Sequence, residues 1–226
     1  NKLETNITNN LIYNSLDYIS DFGLKNNFSF SLKNLNSIGK KTSKYKSNPQ
    51  IELASLFNVD FSMPLEKKDE NSTNFLTPKL SFRFNPSDMK NHSTSENKIN
   101  VDNIFALNRL GLSDTLEAGK SLTLGLDYSK ENKNNLNEIN NYFELKLATV
   151  IRDKEERFIP NKSTIHKKNS NLFGSITNKF SNNLDLGYNF SLNNDYNTFE
   201  YNDLNATISI NNFITKFNFI EEHGET

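Results

Sequence analysis

The sequence predicts an all-β protein: an antiparallel up-and-down transmembrane β-barrel, present in part, as about ten strands of a larger barrel. Three observations predict it. Apolar residues recur at every second position over many short stretches, the repeat that puts alternate side chains on opposite faces of a strand. The connections between those stretches are short and long by turns, as in a barrel with tight turns on one side of a membrane and long loops on the other. Each stretch has one face of large aliphatic and aromatic residues and one rich in Asn, Ser, Asp and Lys, with no helical pattern to cover the first. Lipid outside and a wet interior account for both faces at once. A soluble β-sandwich would need a second layer over each apolar face.

The elements follow in order. A weak strand candidate lies at 11–19, and Phe28, Phe30 and Leu32 then alternate with Ser29 and Ser31. "IELASLFNVDFSMPL" (51–65) sets Ile51, Leu53, Phe57, Val59, Phe61, Met63 and Leu65 against Glu52, Asn58, Asp60 and Ser62. At 3.6 residues per turn those apolar positions would scatter around a helix, so this is a strand. Leu76, Leu80, Phe82 and Phe84 alternate with Thr77, Lys79, Ser81 and Arg83. Leu122, Leu124, Leu126 and Tyr128 stand against Ser121, Thr123, Gly125 and Asp127, which places Leu124 and Leu126 toward lipid and Thr123 and Asp127 toward the lumen. On that reading an arginine is expensive at 124 and tolerated at 123. Phe143, Leu145, Leu147 and Ile151 follow, then a weaker candidate at 171–180. Leu184, Leu186, Tyr188, Phe190 and Leu192 form the next strand, and 204–210 and 213–219 the last two. Pro64 and Pro78 each remove a ladder donor and mark strand ends, bulges or edges.

Short connections fall at 21–23, 66–74, 130–141, 181–183 and 211–212; long polar ones fall at 39–49, 85–120 and 152–170, with 193–197 as the exception. About 40 of the 226 residues are Asn, a residue suited to turns and water-facing positions. The 18 Phe and 8 Tyr are too many for a disordered tail. A formal net charge of −1 provides no global field toward nucleic acid. There is no cysteine for a disulfide or thiolate site, and no apolar run long enough for a transmembrane helix. The chain opens at Asn1 without a charged-then-apolar leader, which reads as an internal piece of something longer.

Little in the chain suggests catalysis. "EAGKS" (117–121) matches the end of a phosphate-binding loop, but Asp114 stands where that pattern needs glycine and a strand follows instead of a helix. It is a turn into a strand. His92, His166 and His223 are widely separated, expected to be solvated loop histidines, and not at metal-ligand spacing. The runs at 40–46 and 152–157 are expected to be solvated loop tips, with lipopolysaccharide phosphates as the functional alternative. No nucleophile–base set can be assembled, so the reading is of a protein that is not an enzyme and takes no cofactor or metal.

One long connection stands out: "DNIFALNRLGLSDTLEAGKSLTLGL" (102–126) places Arg109, Asp114 and Glu117 among apolar residues. The apolar residues are expected to pack this connection against the barrel, with Arg109 meeting Asp114 or Glu117 beneath it. The stretch resembles the LptD family, the lipopolysaccharide-assembly barrel of Gram-negative outer membranes. The family pattern of Asn-x-Phe, Asn/Asp-Arg, then Asp, Glu and Gly before a strand is met by Asn103, Phe105, Asn108, Arg109, Asp114, Glu117 and Gly119. "MPL" (63–65), "LTPKLSFRFNP" (76–86) and "SNLFG" (170–174) fit the same family's flanking strands. Gly111 beside Leu112, and Thr115 after Asp114, depart from it.

The resemblance implies that 1–226 is part of an outer-membrane barrel domain, without the family's N-terminal periplasmic domain and without the terminal strands. It implies insertion of lipopolysaccharide into the outer leaflet. The implied partners are outer-membrane lipids, an LptE-like plug lipoprotein and the periplasmic lipopolysaccharide bridge proteins. The family's lateral opening lies between its first and last strands, so no gating residue is named. The alternatives are a porin or ligand-gated receptor, and a secreted adhesin-like β module.

Overall fold

The computed structural model describes residues 2–42, 45–134, 139–181 and 183–223. One antiparallel sheet contains β1 (Leu3–Asn14), β2 (Tyr18–Ile19), β3 (Lys25–Lys40), β4 (Gln50–Ser62), β5 (Leu65–Lys68) and β6 (Ser72–Asn85). It continues through β7 (Gly119–Lys133), β8 (Ile139–Arg152), β9 (Leu172–Ser181), β10 (Leu184–Leu192), β11 (Phe199–Ile210) and β12 (Phe213–Glu222). The strands pair in chain order as an up-and-down meander, β2 beside β3 and β5 beside β6. β2 extends the line of β1, and β5 that of β4, so the twelve segments form ten staves. The sheet is open: among the described residues, β1 and β12 each pair on one side only.

The strands outrun their alternating cores. β1 starts at Leu3 instead of near 11, and β3 runs on to Lys40. The connections expected at 66–74 and 130–141 are mostly strand: β5 fills 65–68, β6 begins at Ser72, β7 reaches Lys133 and β8 starts at Ile139. Residues 135–138 of the second lie outside the described residues. Polar residues on both faces erase the period-two signal near a strand end, but the ladder hydrogen bonds are made by backbone and persist. The prolines also find their place. β4 pairs with β6 as far as Ser62 opposite Lys79, and β5 resumes at Leu65 opposite Leu76, so the gap between them sets Met63 opposite Pro78 and Pro64 opposite Thr77. Pro64 has no N–H to donate and falls where the ladder is broken, while the Met63 N–H donates to the Pro78 carbonyl at 3.1 Å.

The registers reveal the tilt. One row of paired residues crosses the sheet through Lys25, Ser62, Lys79, Gly125, Ala148, Phe173, Ser191, Tyr201 and Glu222. It enters at the first residue of β3, next to a tight turn, and leaves at the last residue of β12, far from one. The strand centres therefore slide about one and a half residues per strand, which at roughly 3.4 Å per residue and roughly 4.8 Å between strands is a tilt of about 45°. Closed barrels need a tilt of that size.

The two faces have opposite fates. Phe28, Phe57, Phe82, Leu124, Ile151, Leu204, Ile208 and Phe217 lie on one face and are all exposed. Tilted and stacked ring pairs, Phe30–Phe57 at 4.9 Å and Phe57–Phe84 at 6.5 Å, run across strands on it. On the other face Ser81, Arg83, Ser121 and Thr123 are buried, Ser81 and Thr123 at 0% exposure. What buries them is protein: the connections 86–118 and 153–171 fold back over the polar face. These two share an apolar core, in which Met89, Ile99, Ile104, Leu110 and Leu112 meet Ile159 and Ile165 over Ala148, Val150 and Phe173 of the wall.

The longer connection also bridges the sheet. Lys33 on β3 donates to its Leu112 carbonyl at 3.0 Å, while its Lys98 pairs with Glu222 on β12 at 2.7 Å. In a flat sheet those strands would be about 38 Å apart, too far for a segment wound through turns between 100 and 111. The wall curves around its own connection.

Candidate functional site

The loop 86–118 is fastened to the wall by a buried charged cluster. Arg109, in the loop, grips Glu117 with both arms, Nε donating to Oε2 at 2.7 Å and Nη2 to Oε1. Arg152, the last residue of β8, donates from Nη1 to the same Oε1 at 2.6 Å and from Nη2 to the Ala118 carbonyl. Arg83 on β6 brings Nε to 4.0 Å from Oε2 and donates to the carbonyls of Ala106 and Leu107. The side chains of Arg83, Arg109, Arg152 and Glu117 are all at most 5% exposed.

Three guanidiniums share one carboxylate, so the cluster carries excess positive charge in a dry place. Backbone carbonyls make up the difference, those of Ala106, Leu107 and Ala118 together with Ile104 at 3.4 Å from Arg109. The wall's hydroxyls complete the set: Arg109 donates to Thr123 at 2.9 Å and to Ser121 at 3.0 Å. A planar fork of five donors suits such a mixture of acceptors. Burial works against a charge on Glu117, but Arg109, Arg83 and Arg152 outweigh it and hold the carboxyl well below the usual carboxylate range.

Two further contacts set the loop's position. Lys33 donates to the carbonyls of Leu112, Ser113 and Thr115 at 3.0–3.2 Å, a cation closing the far side of the loop. Asn85, at the end of β6, donates to the Glu117 carbonyl at 2.9 Å. The wall thus reads the loop largely through its backbone.

The motif residues divide among several tasks. Arg109, Glu117 and Gly119 meet around Arg152. Gly119 has φ +84°, and a Cβ there would lie 3.0 Å from Arg152 Nη2, so the residue must be small as well as left-handed. Phe105 lies against Gly125, where a Cβ would come within 2.6 Å of its ring, and the Lys79 ammonium sits 5.6 Å from the ring centroid. Asn103 and Asn108 shape turns: Asn103 accepts from the Asn100 amide, and Asn108 bonds both the amide and the carbonyl of Leu112. Asp114 stands apart, accepting from His92 at 2.9 Å with Lys90 at 3.9 Å. Of the two partners expected for Arg109, Glu117 is the one it meets.

Other expectations are corrected. Arg152 belongs to the run read as a solvated loop tip, yet it is buried; in the rest of that run Asp153, Lys154, Glu155 and Arg157 are exposed as expected and Glu156 is half-buried. His92 and His166 are half-buried in folded connections and only partly solvated; His223 is exposed. In the run 40–46, Lys40, Lys41 and Lys46 are exposed as expected, while 43–44 lie outside the described residues. Thr123 faces the polar side as expected but is sealed beneath the loop, leaving no room for arginine. Arg83, Arg152 and Lys33 were not singled out from sequence. The only signal they give is a cation on the polar side of a strand, which many exposed lysines share.

No curated protein matches the chain at a significant level. A family model does: residues 31–223 match the one described as LptD, LPS transport system D. That match covers most of an all-β wall whose apolar face is bare, and the chain belongs to the LptD family.

Proposed function

We propose that this chain is a section of the outer-membrane barrel that inserts lipopolysaccharide into the outer leaflet. The family membership already makes it part of a lipopolysaccharide-transport protein of the outer membrane. The observation that carries the finer reading is the bare apolar face on a wall tilted by about 45°, opposite a polar face with its own folded plug. An outer surface of Phe, Leu and Ile needs lipid, and an inner surface of Asn, Ser, Thr and Lys can hydrate a saccharide. The free edges of β1 and β12 support further strands on both sides, and a periplasmic domain ahead of the barrel is expected from the family. The bridge proteins and an LptE-like lipoprotein are the expected partners. An open diffusion pore fits less well, because loops 86–118 and 153–171 cover much of the polar face.

The motif Asn103, Phe105, Asn108, Arg109, Asp114, Glu117 and Gly119 acts, on this reading, as the fastening of the plug and not as a binding site. The test is depletion of the full-length protein in cells followed by re-expression of it or of a plug variant. Surface lipopolysaccharide and resistance to bulky antibiotics should be restored by the parent. If depletion leaves both unchanged, the proposed function is wrong.

A further inference from the structure

On β1, β3 and β4 the bare face contains a polar interruption. Phe28, Phe30 and Leu32 form the apolar belt on β3, and the next two residues on that face toward the loop end are Asn34 and Asn36. Asn9 of β1 lies directly opposite Asn34. The three amides are joined: Asn9 donates to Asn34 Oδ1 at 3.4 Å, Asn36 donates to the same oxygen at 2.6 Å, and Asn34 donates to the Glu52 carbonyl at 3.3 Å. Both lone pairs of Asn34 are thereby used. Among the described residues nothing donates to Oδ1 of Asn9 or of Asn36. Around them Ile7, Ile51 and Leu53 are 60%, 78% and 61% exposed.

This patch therefore mixes open amide acceptors with aliphatic surface. Asn34 and Asn36 are about 7 and 13 Å along the strand from Leu32, toward the long loops. With the long loops outward, that height is the outer margin of an apolar belt about 25 Å tall. The face is continuous with the lipid-facing belt, so the occupant comes from the bilayer, and at this height it presents a headgroup and not an acyl chain. Two acceptors wait for donors; phosphocholine-type headgroups have none, a phosphoethanolamine concentrates its donors on one nitrogen, and a saccharide spreads hydroxyl donors over a surface wide enough to meet both amides.

We infer that Asn9, Asn34 and Asn36 form a docking shelf for the saccharide headgroup of a glycolipid in the outer leaflet, with Ile7, Ile51 and Leu53 against its first acyl carbons. The inference rests on the proposed orientation in the outer membrane. The test is photo-crosslinking of the full-length protein in cells, with benzoylphenylalanine replacing Leu53 beside the shelf or Leu124 within the belt. Adducts at 53 should carry lipopolysaccharide and fall at least about threefold in an Asn34→Ala/Asn36→Ala background, as expected for loss of one or two hydrogen bonds. Adducts at 124 should be lipid and unaffected by those substitutions. Equal adducts at 53 with and without the amides, or adducts there to protein or phospholipid alone, would overturn the shelf while leaving the orientation intact. Absence of any lipid adduct at 124 would instead overturn the orientation itself.

Discussion

Arg152 Nη1 lies 2.6 Å from Oε1 of Glu117, although 35 residues separate them in the chain. The pair ties the end of one wall strand to the last turn of a loop that crosses the polar face, and Arg109 closes on the same carboxylate from within that loop. The fold of the plug and the curvature of the wall are therefore one problem.

Removing either arginine should loosen both. Arg152→Ala and Arg109→Ala each leave Glu117 short of a buried partner, a loss of roughly 3–5 kcal/mol when one side of a buried pair is deleted. Arg157→Ala removes an exposed side chain that lies over the Phe158 ring, at 4.8 Å, and should cost under about 1 kcal/mol. The amount of heat-modifiable folded barrel in outer membranes measures the difference, and equal yields for all three variants would count against the cluster.

The same cluster sets an acid limit. The carboxyl of Glu117 is depressed in the folded protein, so its contribution is fully present above the unfolded value, about 4.3. It declines as pH falls below that toward the folded value. Unfolding in detergent should show no pH dependence from Glu117 between pH 5 and 8, and a loss of stability below about pH 4. Glu117→Gln should be less stable at neutral pH and flatter across the acid range. A parallel pH profile for parent and variant would exclude Glu117 as the titrating group.

The two faces can be told apart with one residue type. Leu124→Arg puts a charge on the bare face and should cost about 2–4 kcal/mol if the belt is in lipid. Thr177→Arg, on the polar face opposite Glu144, should be tolerated. Thr123→Arg should fail despite facing the polar side, because Thr123 is fully buried under the loop and bonded to Arg109. Denaturant midpoints of bilayer-reconstituted protein would rank the three, and tolerance at 123 would mean that the loop does not seat there.

Gly125 and Phe105 offer a test of the plug's seat. Gly125→Ala should drive the Phe105 ring from its position and cost about 1–3 kcal/mol by overpacking. In a Phe105→Ala background the same change should cost little, since the ring is what the Cβ meets. Proteolysis of the loop 86–118 in folded protein provides the readout. Additive effects would show that the two residues do not touch.

What the sequence determined alone was local and periodic. Period two in 51–65 and in 121–129 specifies strands and their faces, because a pleated chain sends alternate side chains to opposite sides whatever its neighbours are. The alternation of short turns and long loops then specifies a meander. Arg109, Asp114 and Glu117 were visible as charges among apolar residues, which marks shelter without naming the partner. The tertiary structure decided the rest. Strand limits at Leu3, Lys40 and Lys133 depend on backbone pairing, which leaves no mark in side-chain pattern. Glu117 takes Arg109, Arg83 and Arg152, while Asp114 takes His92, because tilt and register bring residues from β6, β8 and the loop to one place. A buried cation on a strand differs from a solvated one only by what lies above it, and here the covering chain folds back from another part of the sequence.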